Sequence, residues 1–283
     1  MSDEGRPRKR AAFFDLDRTL IPGSSLFLLA RGAYDRDLFR VRDIFRFAWG
    51  QFMFRLRGED ARGMEMSRTS TLDFVTGRSK ADMVDMGHEI VEERIIPRVY
   101  EDIMDVIEEH KERGDLTYLV TATPIELADT VAKELGMTGA IGTESEIDDA
   151  GHYTGRLVGD VIHGPAKAKA VAEVAAAQGI DLLDCSAYSD SINDLPLLES
   201  VGDAHAVNPE RELLRVARTR GWHVHELRSK RRALLIGVPA GVGGAGLVAG
   251  GIALGMWLER RRYWRLTRRA AALRRRIARR LRR

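Results

Sequence analysis

The chain has 283 residues, about two domains' worth at roughly 150 residues each. Hydrophobic residues make up 44%, charged residues 31%, and there are 8 prolines, which excludes a disordered, collagenous or wholly membrane-embedded protein. One cysteine, Cys185, cannot close an intrachain disulfide, so a secreted disulfide scaffold is excluded and a reducing compartment is expected. The formal net charge of +3 sums two unlike parts. From Arg228 onward there are 17 Lys/Arg against one acid, Glu259, while residues 1–227 carry 28 Lys/Arg against 41 Asp/Glu. An acidic body precedes a very basic end.

Residues 1–10 are polar and basic and lack the apolar run of a signal peptide. Ala11-Ala12-Phe13-Phe14-Asp15-Leu16 reads as a buried strand ending on an aspartate. From Ser24 to Arg113 the pattern is helical, with apolar residues at three- and four-residue spacing in Leu26–Leu29, Phe45–Trp49 and Val91–Glu109. Pro97 is expected to open a new helix there. Gly114 stops the helical text, and Leu116–Thr121 reads as a second buried strand. A helix is expected over Pro124–Leu135, with Gly136 just past its end. Ala140–Gly159 holds two strand-like stretches around Asp149-Ala150-Gly151, a hairpin signal. Gly164–Gln178 is an Ala-rich helix, Cys185–Tyr188 a short strand and Ile192–Ser200 a short helix. Ala204–Val207 and Trp222–Val224 close the pattern as strands around a helix from Pro209 to Thr219. Alternating strands and helices argue for an α/β, doubly wound, mostly parallel sheet. The core is then 11–23 with 112–227, and 24–111 is a helical cap inserted after the first strand.

Ligands of such sheets sit at the carboxyl ends of the strands. Those ends carry Asp15-Leu16-Asp17-Arg18-Thr19, then Thr121, then Ser189-Asp190-Ser191-Ile192-Asn193-Asp194, with Lys167 at the start of a helix. Clustered carboxylates repel one another, and a hard cation such as Mg²⁺ is the natural neutraliser. A lysine and a threonine beside such a cation make a place for a tetrahedral oxyanion, so the pattern supports metal-assisted phosphoryl chemistry. Thr19 and Thr123 could touch phosphate or merely shape the chain. Cys185, at the head of a strand, reads as a small core residue. His110 and Asp115 match a His-x4-Asp spacing known from acyltransferases, but they sit at the join of cap and core, where the match is read as fortuitous.

Four stretches resemble the signature motifs of the haloacid dehalogenase-like (HAD) superfamily. They are Asp-Leu-Asp-Arg-Thr-Leu at 15–20, Val-Thr-Ala-Thr-Pro at 120–124, Gly-Pro-Ala-Lys at 164–167 and Tyr-Ser-Asp-Ser-Ile-Asn-Asp-Leu-Pro-Leu-Leu at 188–198. The chain looks most like the phosphoserine-phosphatase-like branch, subfamily IB, over about 11–227. The resemblance implies a Rossmann-like core and a Mg²⁺-dependent phosphomonoester hydrolase. It implies that Asp15 is the nucleophile that becomes an aspartyl-phosphate and Asp17 the general acid and base. It implies that Thr121, Ala122, Lys167 and Asn193 bind the phosphoryl group, with Thr121 and Lys167 also serving catalysis. It implies a metal held by Asp15, Asp17 through its main-chain carbonyl, and Asp190, with Asp194 supporting the metal shell or the lysine. The resemblance breaks at Ser24, nine residues after the nucleophile, where phosphoserine-specific relatives have a glutamate. A small phosphorylated metabolite or a lipid phosphate is therefore expected, and the cap's Arg31, Arg36, Arg40, Arg42, Arg46, Arg55 and Arg57 would suit an anionic one. The rival reading is a membrane-bound regulator that binds a phosphorylated ligand without turnover.

Ala233–Leu258 is 26 residues without a charge, flanked by basic residues and long enough for a bilayer core of about 30 Å. It holds eight glycines and Pro239, with Gly246-x-x-x-Gly250 and Gly251-x-x-x-Gly255 as close-packing spacings. Leu266, Leu273, Ile277 and Leu281 then line one face of an Arg-rich amphipathic helix over 259–283, and Tyr263 and Trp264 suit a headgroup belt. A membrane segment and an anionic lipid surface are the expected partners of this end, with the enzyme on the cytoplasmic face of the cell membrane. Nucleic acid is the weaker candidate, because an apolar run adjoins the charge.

Overall fold

A computed structural model describes residues 9–36 and 76–227 of the chain. The sheet has seven strands: β1 (Ala11–Phe14), β2 (Leu116–Pro124), β3 (Gly139–Ile147), β4 (Tyr153–Val158), β5 (Ser186–Ser189), β6 (Asp203–Val207) and β7 (His223–His225). Their spatial order is β4-β3-β2-β1-β5-β6-β7, and every pairing is parallel except β3 with β4. The doubly wound, mostly parallel sheet expected from the alternation is therefore present. β1 lies between β2 and β5, so successive crossovers leave it in opposite directions and open a crevice at its carboxyl end.

Period-two alternation in β1 splits its four residues between two cores. Ala12 and Phe14 join Ile103, Ile107, Leu127 and Val131, from α3 (Glu101–Glu112) and α4 (Ile125–Glu134). Ala11 and Phe13 join Val171, Ala175, Leu197 and Leu213 on the other face. These come from α5 (Pro165–Gln178), α6 (Leu195–Ser200) and α7 (Arg211–Arg220). All four β1 residues are buried, which explains the continuous apolar run.

The insertion is described at its two ends, as α1 (Ser25–Tyr34) and α2 (Lys80–Ile90) with the segment leading to α3. Here the sequence reading needs correction. Val91–Ile95 forms a π-helical turn and Pro97 sits in a 3₁₀ turn, Ile96–Arg98. The new helix starts only at Glu101, because Val99 and Tyr100 are extended (ψ 134° and 133°) and break the run. β2 also runs past Thr121 to Pro124, so α4 begins at Ile125. The hairpin turn falls where expected, with Asp148 accepting from the N–H groups of Ala150 and His152 and with Gly151 at φ 82°.

Residues 37–75 of the cap, the apolar run 233–258 and the Arg-rich end 259–283 lie outside the described residues. Among the described residues, no helix is long and apolar enough to cross a membrane.

Candidate active site

β1 ends at Phe14, and the Asp15 N–H donates to the Tyr188 carbonyl at 2.9 Å, tying this carboxylate to the end of β5. The Thr19 hydroxyl, fully buried, donates to Asp15 Oδ2 at 3.2 Å. Lys167 arrives from the first turn of α5. Gly164 starts that turn at φ 54°, ψ −125°, a backbone geometry that glycine adopts without steric cost, and Pro165 follows at the first helical position. Lys167 is buried, with Nζ 2.5 Å from Asp15 Oδ1 and 2.8 Å from Asp194 Oδ2. The Ser189 hydroxyl donates to the same Asp194 oxygen at 2.7 Å. Asp194 thus holds the lysine, one of the two duties expected of it.

Asp17 Oδ1 accepts the Ser25 N–H at 2.7 Å. The Ser25 hydroxyl lies 2.9 Å from that of Thr123, and the Thr121 hydroxyl donates to Thr123 Oγ1 at 3.0 Å. This chain joins the start of α1 to the end of β2. Ala122 is exposed between the two threonines, and its carbonyl accepts the Thr143 hydroxyl. Asn193 sits in the 3₁₀ turn Ile192–Asp194, its N–H donating to Ser191 Oγ.

Asp190 is buried, and its Oδ2 has no hydrogen-bond partner. Arg18 Nε approaches that oxygen to 3.0 Å without the alignment of a hydrogen bond. The loop beyond is pinned by Glu210, whose N–H donates to the Asp190 carbonyl and whose carboxylate accepts the Ile192 N–H.

Burial dominates the electrostatics. It pushes the Asp15 carboxyl up to about 7, against the pull of Lys167, with Asp194 and Asp17 adding to the rise. Asp190 also rises to about 7 through burial, with Arg18 opposing. Burial raises Asp17 too, against its bonds from Ser25. Burial works against the Lys167 charge, but Asp15 and Asp194 outweigh it and hold the ammonium above its ordinary value.

A divalent cation fits this donor set. Hard carboxylate oxygens converge, and one of them is desolvated with no hydrogen bond to replace water. The carboxylates are meanwhile kept apart by resident cations, Lys167 between Asp15 and Asp194 and Arg18 beside Asp190. His88, Glu92 and Glu134 form a separate surface group whose ligand atoms lie within 4.8 Å of one another. Acidic groups often gather so without an ion.

Two of the cap arginines fall among the described residues. Arg31 pairs with Asp35, and Arg36 with Glu89 and Glu93 at 3.1 and 3.0 Å, so both charges face acids of their own chain. Arg40, Arg42, Arg46, Arg55 and Arg57 lie outside the described residues. His110 is a buried joint: Nδ1 lies 2.8 Å from Asp115 Oδ2 and Nε2 2.8 Å from the Tyr188 hydroxyl. Cys185 is a buried core residue. Sequence reasoning passed over Arg18, Ser25 and Ser189, and left Thr19 and Thr123 undecided. Arg18 lies inside the first motif and Ser189 inside the last, which was the available signal.

The family model described as haloacid dehalogenase-like hydrolase matches residues 12–199. A phosphoserine phosphatase of Mycobacterium tuberculosis is 43% identical over 244 residues, covering 84% of this chain and 79% of the relative. A histidinol-phosphatase of Neisseria meningitidis is 29% identical over 224 residues, 76% of this chain and 98% of the relative. A crystal structure of a Bordetella pertussis protein of unknown function superposes with a TM-score of 0.71 at 31% identity, over 78% of this chain and all of that one. The chain belongs to the haloacid dehalogenase-like hydrolase family and is a phosphatase of that family.

Proposed function

We propose that the chain is a Mg²⁺-dependent phosphomonoester hydrolase that works through an aspartyl-phosphate on Asp15 and acts on a small phosphorylated metabolite. The observation that carries this is the Asp15 carboxylate, buried at a strand end 2.5 Å from a buried lysine and two residues from a second carboxyl. One Asp15 oxygen attacks phosphorus as the bond to the leaving oxygen breaks. Asp17, whose carboxyl burial favours in its neutral form, gives that oxygen its proton. Asp17 then takes a proton from water, the resulting hydroxide attacks the same phosphorus, and the Asp15 carboxylate leaves. Lys167 neutralises the equatorial oxygens, and Thr121 offers them its hydroxyl once it turns from Thr123. Asp15, Asp190 and the Asp17 carbonyl would hold the Mg²⁺, whose chemistry is to offset charge repulsion between phosphate and carboxylate. The test is hydrolysis of a generic aryl phosphate. Turnover with Mg²⁺ that stops on chelation is expected, and inactivity across a broad phosphate panel with ligand binding intact would support the non-catalytic regulator instead.

Phosphoserine is disfavoured as the substrate. Ser24 supplies no carboxylate for an ammonium group. The panel should therefore pair phosphoserine with amine-free phosphates and a lipid phosphate.

Metal binding should depend on pH. With Asp15 and Asp190 pushed up to about 7, each holds a proton below that pH which a cation must displace. Mg²⁺ affinity is expected to rise between about pH 5 and 7, by up to about tenfold per unit for each proton released, and then to level off. A carboxyl raised in the folded state binds more protons there than when unfolded. Stability of the metal-free chain should accordingly fall as pH climbs from about 4 to 7. Calorimetric titration and thermal melts across that range check both signs.

We further propose that 233–283 attaches the enzyme to anionic membrane at the cytoplasmic face. The support is the uncharged run of 26 residues followed by an arginine-faced amphipathic pattern. The full chain should float with vesicles containing phosphatidylserine, and a chain without 233–283 should not.

A further inference from the structure

Among the described residues, two non-glycine residues have positive φ: Arg18 at 63° and Asn208 at 46°. They meet, with Asn208 Nδ2 donating to the Arg18 carbonyl at 3.5 Å. Asn208 is itself fixed, its N–H donating to the His225 carbonyl and its Oδ1 accepting the Leu227 N–H. The Arg18 N–H donates to the Gly23 carbonyl. Backbone strain of this kind persists only where the surroundings impose it, and here its result is to aim the Arg18 side chain at Asp190. The approach is lopsided. The Asp190 side chain is 4% exposed and that of Arg18 is 49% exposed, and the 3.0 Å contact is electrostatic, without an aligned hydrogen bond. Such a cation compensates a desolvated carboxylate, yet keeps half its surface in water and has little to lose on leaving.

We propose that Arg18 is a resident counter-cation for Asp190, and that metal entry is an exchange in which the guanidinium swings out to solvent as the divalent ion takes its place. This rests on the reading that Asp190 holds the metal. The exchange keeps a cation beside Asp190 at every stage, so the loop need not expose a bare buried carboxylate. Its consequence is a metal site tuned to moderate affinity, because each ion must displace a charge already there. Lys167 cannot serve in this way, since it is buried between two carboxylates and its role lies with the phosphoryl group.

The experiment is calorimetric titration of the metal-free full chain with MgCl₂, which needs no substrate. Arg18→Gln removes the charge, Arg18→Gly removes it in a residue suited to the positive φ, and Arg18→Lys retains it. Both neutral variants are expected to bind Mg²⁺ about three- to tenfold more tightly than wild type, with Arg18→Lys within about twofold of it. Asp190→Asn separates the two ideas. If it abolishes binding while the neutral Arg18 variants bind no more tightly than wild type, the exchange is wrong and the metal assignment stands. If Asp190→Asn binds Mg²⁺ as wild type does, Asp190 is not a ligand and both readings fall. The glycine variant guards against misfolding, since it relieves strain where Arg18→Gln does not.

Discussion

Asp15→Asn is expected to lower kcat for any accepted phosphomonoester by at least about 10⁴-fold while leaving the fold intact. Removing the nucleophile of a covalent mechanism abolishes the route itself, and the residual rate then comes from binding and electrostatics alone. Folding should survive because burial already pushes the Asp15 carboxyl up to about 7, so a neutral isostere suits the site. Lys167 keeps its second partner, Asp194 Oδ2, at 2.8 Å. Initial rates with an aryl phosphate and a thermal melt check both halves. A variant that folds and retains a tenth of wild-type activity would remove Asp15 from the mechanism.

Lys167→Met is expected to damage both activity and stability. The lysine is 3% exposed and, among the described residues, is the cation that Asp15 and Asp194 share in a hydrogen bond. Breaking a buried pair from one side costs about 3–5 kcal/mol, because the remaining charges stay desolvated. Here the deficit should be largest at high pH and shrink as the pH falls. Without Lys167 the Asp15 carboxyl, already pushed up by burial, rises further and takes up a proton, which removes the repulsion at the expense of the ionised nucleophile. Loss of the cation facing the phosphoryl oxygens should cost a further 10²–10³-fold, roughly, in kcat. Denaturant melts at two pH values, paired with kcat on the folded fraction, separate these effects. Unchanged stability at high pH would mean that the carboxylates find another partner.

The features of the fold and site that are legible in the sequence are local. β1 reads as a strand because four consecutive residues are buried on both faces, and its end reads as a site because Asp15 and Asp17 follow at once. Lys167 was visible because Gly164 and Pro165 fix where its helix starts. What the sequence hid depends on distance along the chain. The Ser25–Thr123 contact joins residues 98 apart, and Arg36 meets Glu89 and Glu93 across the insertion. A basic cap surface was inferred from charge composition, which does not show that Arg36 finds Glu89 and Glu93 on the far side of the insertion, while the partner of Arg31, Asp35, lies only one turn on. The segment from Val91 to Tyr100 carried helical spacing throughout. The π turn and the extended pair Val99 and Tyr100 interrupt it, and no periodicity signal marks either. Arg18 carried no signal of its own beyond its place in the first motif, because its importance lies in a backbone angle and in Asp190, far along the chain.

Phosphorus should be transferred to Asp15 before it reaches water. Acid quenching during steady-state turnover of a ³²P-labelled aryl phosphate, followed by peptide mapping, addresses this transfer directly. Asp17→Asn, which keeps the nucleophile but lacks the base that activates water, should increase the trapped fraction if the leaving group is a good one. The expected result is label on the peptide containing Asp15, absent in Asp15→Asn. Hydrolysis that proceeds at the normal rate with no label on that peptide, or with label on another residue, would contradict transfer through Asp15.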